Sequence, residues 1–385
     1  MTAFRFQTVP TLVAEFGAAR RLGILLREHY PGLTRLCIVT DAFLHQSGLL
    51  DPALASLGEA GWQVSVIDNV VADPPEQVVL QAAEQARRAR AELILGLGGG
   101  SSMDVAKLLA ALVAGCQPLA EMYGLNRVRG PRLPLVQMPT TAGTSSEVTA
   151  VSIVTTGATT KMGVVSSVLL ADLAILDAEL TLDLPPSVTA ATGIDAMVHA
   201  IEAYTSKHLK NPLSDMLALQ ALALLSRHLL AACENGHDRR AREAMMLGAM
   251  LAGQAFANAP VAAVHALAYP LGGVFHVPHG LSNSLVLPPV LKFNAPAAHL
   301  LYAELADALL PSSAGSPAGR CDAFIDHLER LIAATGIPRT LREVGVTRAD
   351  LPRLAHDAMQ QTRLLVNNPR ELNEADALAI YSAVL

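Results

Sequence analysis

Leu93-Ile94-Leu95-Gly96-Leu97-Gly98-Gly99-Gly100-Ser101-Ser102-Met103, continuing as DVAKLLAALVA to Ala114, is the stretch whose reading decides the fold. Leu93–Leu95 is a short apolar run of strand type, and Met103–Ala114 repeats its apolar residues at helical spacing. A strand that feeds a helix through a glycine loop is the repeating unit of a parallel α/β sheet. The alternation recurs on both sides. Upstream, a helix-like run covers Ala18–His29, Leu36–Asp41 reads as a strand, and a helical pattern runs on through Leu57. Trp62–Ile67 repeats the strand signal and Pro74–Arg90 the helical one. Downstream, Leu133–Gln137, Ser152–Val154 and Leu173–Leu176 supply further short strands. The expectation is an α/β N-terminal nucleotide-binding domain with a largely parallel sheet.

The glycine run has the geometry in which backbone amides and a helix N-terminus hold a phosphate. Ser101 stands where G-x-G-x-x-G requires its third glycine, so by spacing alone a plain strand-to-helix turn fits equally well. Pro139-Thr140-Thr141-Ala142-Gly143-Thr144-Ser145-Ser146-Glu147 is dense in hydroxyls that suit ribose, phosphate or carboxamide; a capped loop opening a short helix is the simpler reading. Asp41 closes the strand CIVTD. It either caps the next helix or accepts both ribose hydroxyls, which would also repel a 2′-phosphate.

After Leu184-Pro185-Pro186 the patterns become long, Ala- and Leu-rich and helical, as in Met216–Leu230 and Ala298–Leu310. The domains expected are 1–184, α/β, and 185–385, all-helical. Pro311–Gly319 reads as a loop. Within the second domain, Val264–Gly280, VHALAYPLGGVFHVPHG, places His265, His276 and His279 close together, and no Asp, Glu, Lys or Arg occurs from Ala244 to Phe275. Histidines in such surroundings need their ring nitrogens satisfied by hydrogen bonds or by a metal. The Pro270–Gly273 break is expected to let the chain turn and bring His279 back towards His265. Upstream, Asp195 and His199 stand four apart on one helix face. Together, one carboxylate and imidazoles from two regions make a site for a borderline divalent cation; taken separately, a hydrogen-bonded core and an ordinary helical pair explain them.

Composition narrows the class. Charged residues make up 16% and apolar ones 51%, so much of the chain is expected in a core or a homo-oligomer interface. A net charge of −6 gives no electrostatic reason to expect nucleic acid or an anionic membrane as partner. No uninterrupted apolar run reaches membrane-spanning length, and the start MTAFRFQTVP lacks a signal-peptide pattern. Cys37, Cys116, Cys233 and Cys321 stand far apart, against a disulfide framework or a cysteine-bound zinc. A cytoplasmic location follows as the expectation.

GIDAMVHAIEAY, AVHALAYPLGG and VPHGLSN, with the GGGSSMD and PTTAGTSSEVT loops in order before them, resemble the iron-containing (group III) alcohol dehydrogenases over nearly the whole chain. The resemblance implies a dehydroquinate synthase-like fold and metal ligation by Asp195, His199, His265 and His279. Fe(II) is favoured and Zn(II) is the other choice. It further implies that Gly98, Gly99, Gly100, Ser101 and Ser102 hold the pyrophosphate of NAD, that Thr140, Thr141, Thr144 and Lys161 contact the cofactor, and that Asp41 favours NAD over NADP. The substrate would be a small alcohol or its aldehyde or ketone, bound in a cleft between glycine loop and metal. Where many members carry a further histidine four residues after the first of the two later ligands, this chain has Tyr269. Tyr269 and His276 are the candidates for proton transfer, with water and cofactor hydroxyls as another route. Alternatives are a maleylacetate-type reductase, another dehydroquinate-synthase-like enzyme, or a non-catalytic metal- or nucleotide-binding sensor or assembly subunit.

Overall fold

The computed structural model describes residues 3–157, 160–310 and 315–385. The chain forms two compact units. One, Thr8–Thr141 with Ser145–Leu182, is α/β; the other joins the described residues 3–7, Ala142–Thr144 and Asp183–Leu385 and is helical.

The strands of the α/β unit are β1 (Thr11–Ala14), β2 (Arg35–Asp41), β3 (Gln63–Val70), β4 (Leu93–Gly98), β5 (Gly124–Leu125), β6 (Leu135–Pro139), β7 (Val151–Thr156), β8 (Thr160–Val165) and β9 (Leu173–Leu176). Six of them form a parallel sheet in the order β1-β9-β6-β4-β2-β3. Strands β4, β6 and β9 are buried along their whole length, as expected where helices cover both faces. Its helices are α1 (Leu22–His29), α2 (Ala42–Gln46), α3 (Asp51–Glu59), α4 (Glu76–Arg88) and α5 (Gly100–Ala114). Leu22, Leu26, Leu36, Ile38, Leu93, Leu95 and Ile175 share one core. Ser152–Val154 does not join the parallel sheet. It lies in β7, which pairs antiparallel with β8 in a separate three-stranded sheet completed by β5. This hairpin is only half buried, so its residues carry a weaker apolar signal than β4 or β9.

The helical unit contains α6 (Pro186–Thr205), α7 (Pro212–Glu234), α8 (Arg239–Asn258), α9 (Ala263–Phe275), α10 (His279–Leu309) and α11 (Pro317–Ala334), followed by shorter helices. The N-terminal segment is tied into it by Asn258, whose Oδ1 accepts from Gln7 N at 2.7 Å and whose Nδ2 donates to Gln7 O at 2.9 Å. By length and composition α7 is long and apolar enough to cross a membrane, although Asp215, Gln220 and Arg227 interrupt its apolar run. Its Ala218, Leu222, Leu225 and Leu229 are nevertheless buried in the helical core, and Ser226 hydrogen-bonds His327 at 2.8 Å. Of the loop expected at Pro311–Gly319, residues 311–314 lie outside the described residues, and Pro317 already opens α11.

Pro270-Leu271-Gly272-Gly273 does not break the chain as expected: α9 continues through it to Phe275. Pro270 forfeits one amide bond, yet the flanking turns are buried and hold the helix. The turn falls at His276, in the left-handed region at φ 55°, where His276 N donates to Gly272 O and Val277 N reaches back to Leu271 O. Pro278 then starts α10 with His279 as its first residue.

Candidate metal centre and nucleotide pocket

Helical periodicity places Asp195 and His199 on one face of α6, α9 brings His265 in its first turn, and α10 brings His279. One donor atom from each of the four lies within 4.8 Å of all the others. The Nε2 atoms of His199, His265 and His279 stand 4.0, 3.8 and 3.5 Å from Asp195 Oδ1. Phe256 stacks on the His199 ring at 4.2 Å and His265 stacks on it at 4.8 Å. Asp195, His199 and His265 are buried, whereas the His279 side chain is 31% exposed and marks the accessible side. Gly280 makes the approach of α10 possible, because a Cβ there would lie 2.3 Å from Ala191 O on α6.

Two further side chains complete the centre, and both went unread in the sequence. Glu202, one turn beyond His199, takes His265 Nδ1 at 2.7 Å and accepts Val264 N at 2.7 Å. Asn283, one turn beyond His279, donates from Nδ2 to Asp195 Oδ1 at 2.6 Å and lies 3.3 Å from the Nε2 atoms of both His265 and His279. Their spacing was the signal: Glu202 repeats the Asp195/His199 face and Asn283 the His279 face.

The electrostatics suit a cation. Burial lowers the His199 pKa to about 3, so the ring is neutral and offers a lone pair. Burial opposes ionisation of Asp195, but the surrounding histidines and the Asn283 amide outweigh it and hold the carboxyl below its usual range. Among the described residues no Lys or Arg pairs with this buried carboxylate. A buried anion with three imidazoles and no basic partner is the donor set of a borderline divalent metal, so the residues fit such an ion.

The proton-transfer candidates are placed differently. Tyr269 is partly buried, with its ring centroid 6.0 Å from that of His279. His276 is exposed at the end of α9 and is not one of the four clustered residues.

In the α/β unit a cavity of about 470 Å³ is lined by Asp41, Gly99, Gly100, Ser101 and Ser102, with Phe43 and Val71 among its apolar walls. Gly98 lies at the end of β4, where a Cβ would come within 2.8 Å of the Ser102 side chain. Helix α5 opens at Gly100, so its free amides face the cavity. Asp41 caps α2 by accepting Leu44 N at 3.0 Å and also lines the cavity, so both of its expected roles are geometrically open. Thr140 N donates to Gly98 O at 3.0 Å, and Thr141 lies on the same unit beside Gly99. Thr144 belongs to the helical unit, and its buried Oγ1 has no hydrogen-bond partner among the described residues. Lys161 is not among the cavity residues; its Nζ reaches Asp73 Oδ1 at 2.7 Å.

The hydroxyl loop is braced by Lys107, fully buried on α5, which donates to Ser146 Oγ at 2.7 Å, Thr149 Oγ1 at 3.0 Å and Val151 O at 2.7 Å. Beside it Glu147 is buried, which raises its carboxyl pKa to about 7. The folded protein therefore keeps a proton that the unfolded chain releases near 4.5, and stability falls as pH rises from there to about 7. Glu147→Gln should flatten this slope by about 3 kcal/mol between pH 5 and pH 8 in urea unfolding. Identical pH slopes for wild type and variant would contradict it.

Residues 10–178 match the family described as iron-containing alcohol dehydrogenase, and residues 189–385 match the C-terminal part of the Fe-containing alcohol dehydrogenase family. The chain belongs to the iron-containing alcohol dehydrogenases, with their dehydroquinate synthase-like fold, and is an oxidoreductase of that class. It is similar to long-chain-alcohol dehydrogenase 1 of Geobacillus thermodenitrificans, at 43% identity covering 91% of this chain and 90% of that one. Its fold superposes on the crystal structure of a 1,3-propanediol oxidoreductase with a TM-score of 0.95, at 33% identity over 100% of both chains. It also superposes on sulfoacetaldehyde reductase from Bifidobacterium kashiwanohense in complex with NAD+ with a TM-score of 0.89, at 29% identity over 100% of this chain and 99% of that one.

Proposed function

We propose that the protein transfers a hydride between NAD(H) and a small alcohol or its aldehyde or ketone, with a divalent ion, Fe(II) favoured, held by Asp195, His199, His265 and His279. The observation that carries this reading is the convergence of one buried carboxylate and three imidazoles, two of them buried, from α6, α9 and α10. When bound, the ion supplies Lewis acidity to the substrate oxygen. The chain's own part is to keep the His199 ring neutral, to set the Asp195 charge against the cation, and to leave the His279 side open to substrate. Tyr269, beside His279, is placed to donate a hydrogen bond there; a phenol is a poor base near neutral pH, so its part is orientation more than proton abstraction.

The nucleotide is assigned to the cavity at Gly99–Ser102, where the α5 amides and the Ser101 and Ser102 hydroxyls suit a pyrophosphate. Thr140, Thr141, Thr144 and Lys161 are assigned to the same cofactor. Asp41 is the acceptor for the ribose hydroxyls and the discriminator against a 2′-phosphate. Asp41→Asn keeps a side-chain oxygen to cap α2 and removes the charge, so the ratio of kcat/KM with NADP to that with NAD should rise by about tenfold or more. An unchanged ratio would remove Asp41 from this role. The protein is read as a cytoplasmic homo-oligomer, supported by its four free cysteines and its low charge content.

The test of the reading is NAD-linked oxidation of a panel of short alcohols, diols and long-chain alcohols. Turnover that is lost on chelation and restored by Fe(II) or Zn(II) is expected. Turnover indifferent to chelation would overturn the metal assignment.

A further inference from the structure

We propose that Glu202 selects the tautomer of His265 and so controls whether that ring can coordinate a metal. The inference rests on the reading that Asp195, His199, His265 and His279 hold the ion. Glu202 is 4% exposed, on the same face of α6 as Asp195 and His199. Its Oε1 lies 2.7 Å from Val264 N and its Oε2 lies 2.7 Å from His265 Nδ1. The Val264 amide can only donate, so the carboxyl is held as an acceptor on that side, and its other oxygen accepts the hydrogen bond of Nδ1–H.

The far side of the ring agrees. Asn283 presents its amide nitrogen to Asp195 Oδ1 at 2.6 Å, and the same nitrogen stands 3.3 Å from His265 Nε2. Asp195 accepts and does not donate, which fixes the orientation of the Asn283 amide. With one N–H directed at Asp195, the other is shared between the Nε2 atoms of His265 and His279, each at 3.3 Å, and a lone pair on Nε2, not an N–H, matches a donor there. Both sides therefore specify one arrangement: the proton on Nδ1 towards Glu202, and the Nε2 lone pair towards Asp195 at 3.8 Å, in the cluster where the metal is assigned. Glu202 also turns the ring, because a carboxyl fixed by the start of α9 leaves the imidazole no second position from which to reach it.

Glu202→Gln separates this role from packing. Gln has nearly the same shape, but Val264 N–H demands its carbonyl oxygen, so its NH2 must face His265 Nδ1. Nδ1 then has to accept, and the proton moves to Nε2, which blocks the coordinating position. Glu202→Asp is shorter and packs worse, yet it only accepts and preserves the tautomer. Packing alone ranks Glu202→Gln as the milder change for metal binding; tautomer control ranks Glu202→Asp as the milder.

The experiment measures Zn(II) affinity by chelator competition, the absorption spectrum of the Co(II) form, and melting of the metal-free proteins. Glu202→Gln is expected to lower Zn(II) affinity by about 10- to 100-fold and to alter the Co(II) spectrum, with Glu202→Asp closer to wild type in both. In a His265→Ala background, Glu202→Gln should lower the affinity no further. Wild-type Zn(II) affinity in Glu202→Gln, or a larger loss in Glu202→Asp, would overturn the proposal while leaving the four-ligand reading intact. If Glu202→Gln does not fold, Glu202→Asp decides alone: affinity near wild type supports the role, and a loss as large as that of His265→Ala overturns it. A wild-type protein that binds no Zn(II) would instead bring down the four-ligand reading and this inference with it.

Discussion

Asp195→Ala is expected to lower kcat/KM by about three orders of magnitude or more and to strip the metal from the protein. Asp195 is the single anionic donor of the four, 1% exposed, with the three imidazoles around its Oδ1. Without it, a divalent cation would have to enter a buried site offering only neutral nitrogen ligands, a poor exchange for its hydration shell. Loss of Lewis-acid assistance worth about 4 kcal/mol corresponds to about a thousandfold in rate. The fold has less at stake. Alanine suits the middle of α6, and the main cost is the Asn283 amide, which loses its acceptor at 2.6 Å, about 1–3 kcal/mol. Steady-state kinetics, metal content and a thermal melt read together separate the two effects. A folded Asp195→Ala protein that turns over like wild type would remove Asp195 from the site.

Gly280→Ala is expected to destabilise the fold and disturb the metal centre together. The added methyl would lie 2.3 Å from Ala191 O and 2.7 Å from Ala191 C, both backbone atoms of α6, so no side chain can move aside. The start of α10 must shift instead, at an overpacking cost of about 1–3 kcal/mol or more. His279 is the residue immediately before, so the same shift carries its Nε2 away from Asp195, now 3.5 Å distant. A melting temperature lowered by several degrees, with Zn(II) affinity reduced by about tenfold or more, is the expected pair of results. An unchanged melting temperature would show that α6 and α10 do not approach as closely as described.

What the sequence made legible, and what it hid, follows from the physics of each segment. The parallel sheet could be read because β4 and β9 are continuous apolar runs buried on both faces and flanked by helical patterns. The β7–β8 hairpin alternates buried and more exposed residues over short spans, so only Ser152–Val154 carries a strand signal, and nothing local announces the separate sheet it belongs to. Pro270 with Gly272 and Gly273 carries the composition of a break. The surrounding apolar burial holds α9 together there, and the turn falls at His276 and Pro278. In the centre, the four candidate ligands could be named because carboxylate and imidazole are unusual in an uncharged stretch. Glu202 and Asn283 have the right helical spacing, but an ordinary Glu or Asn on a helix carries no such contrast with its neighbours. Lys161 shows the opposite difficulty. Its residue type suits a ribose contact, while its ion pair with Asp73 is a long-range pairing that no local pattern announces.

The central claim is that α6, α9 and α10 together build one metal site. Elemental analysis of protein purified without chelator tests it most directly, with His199→Ala/His265→Ala as the comparison. About one Fe or Zn per chain in the wild type, and little or none in the double variant, is the predicted result. A wild-type protein free of metal after exposure to both ions, or a double variant that keeps its full complement, would contradict it.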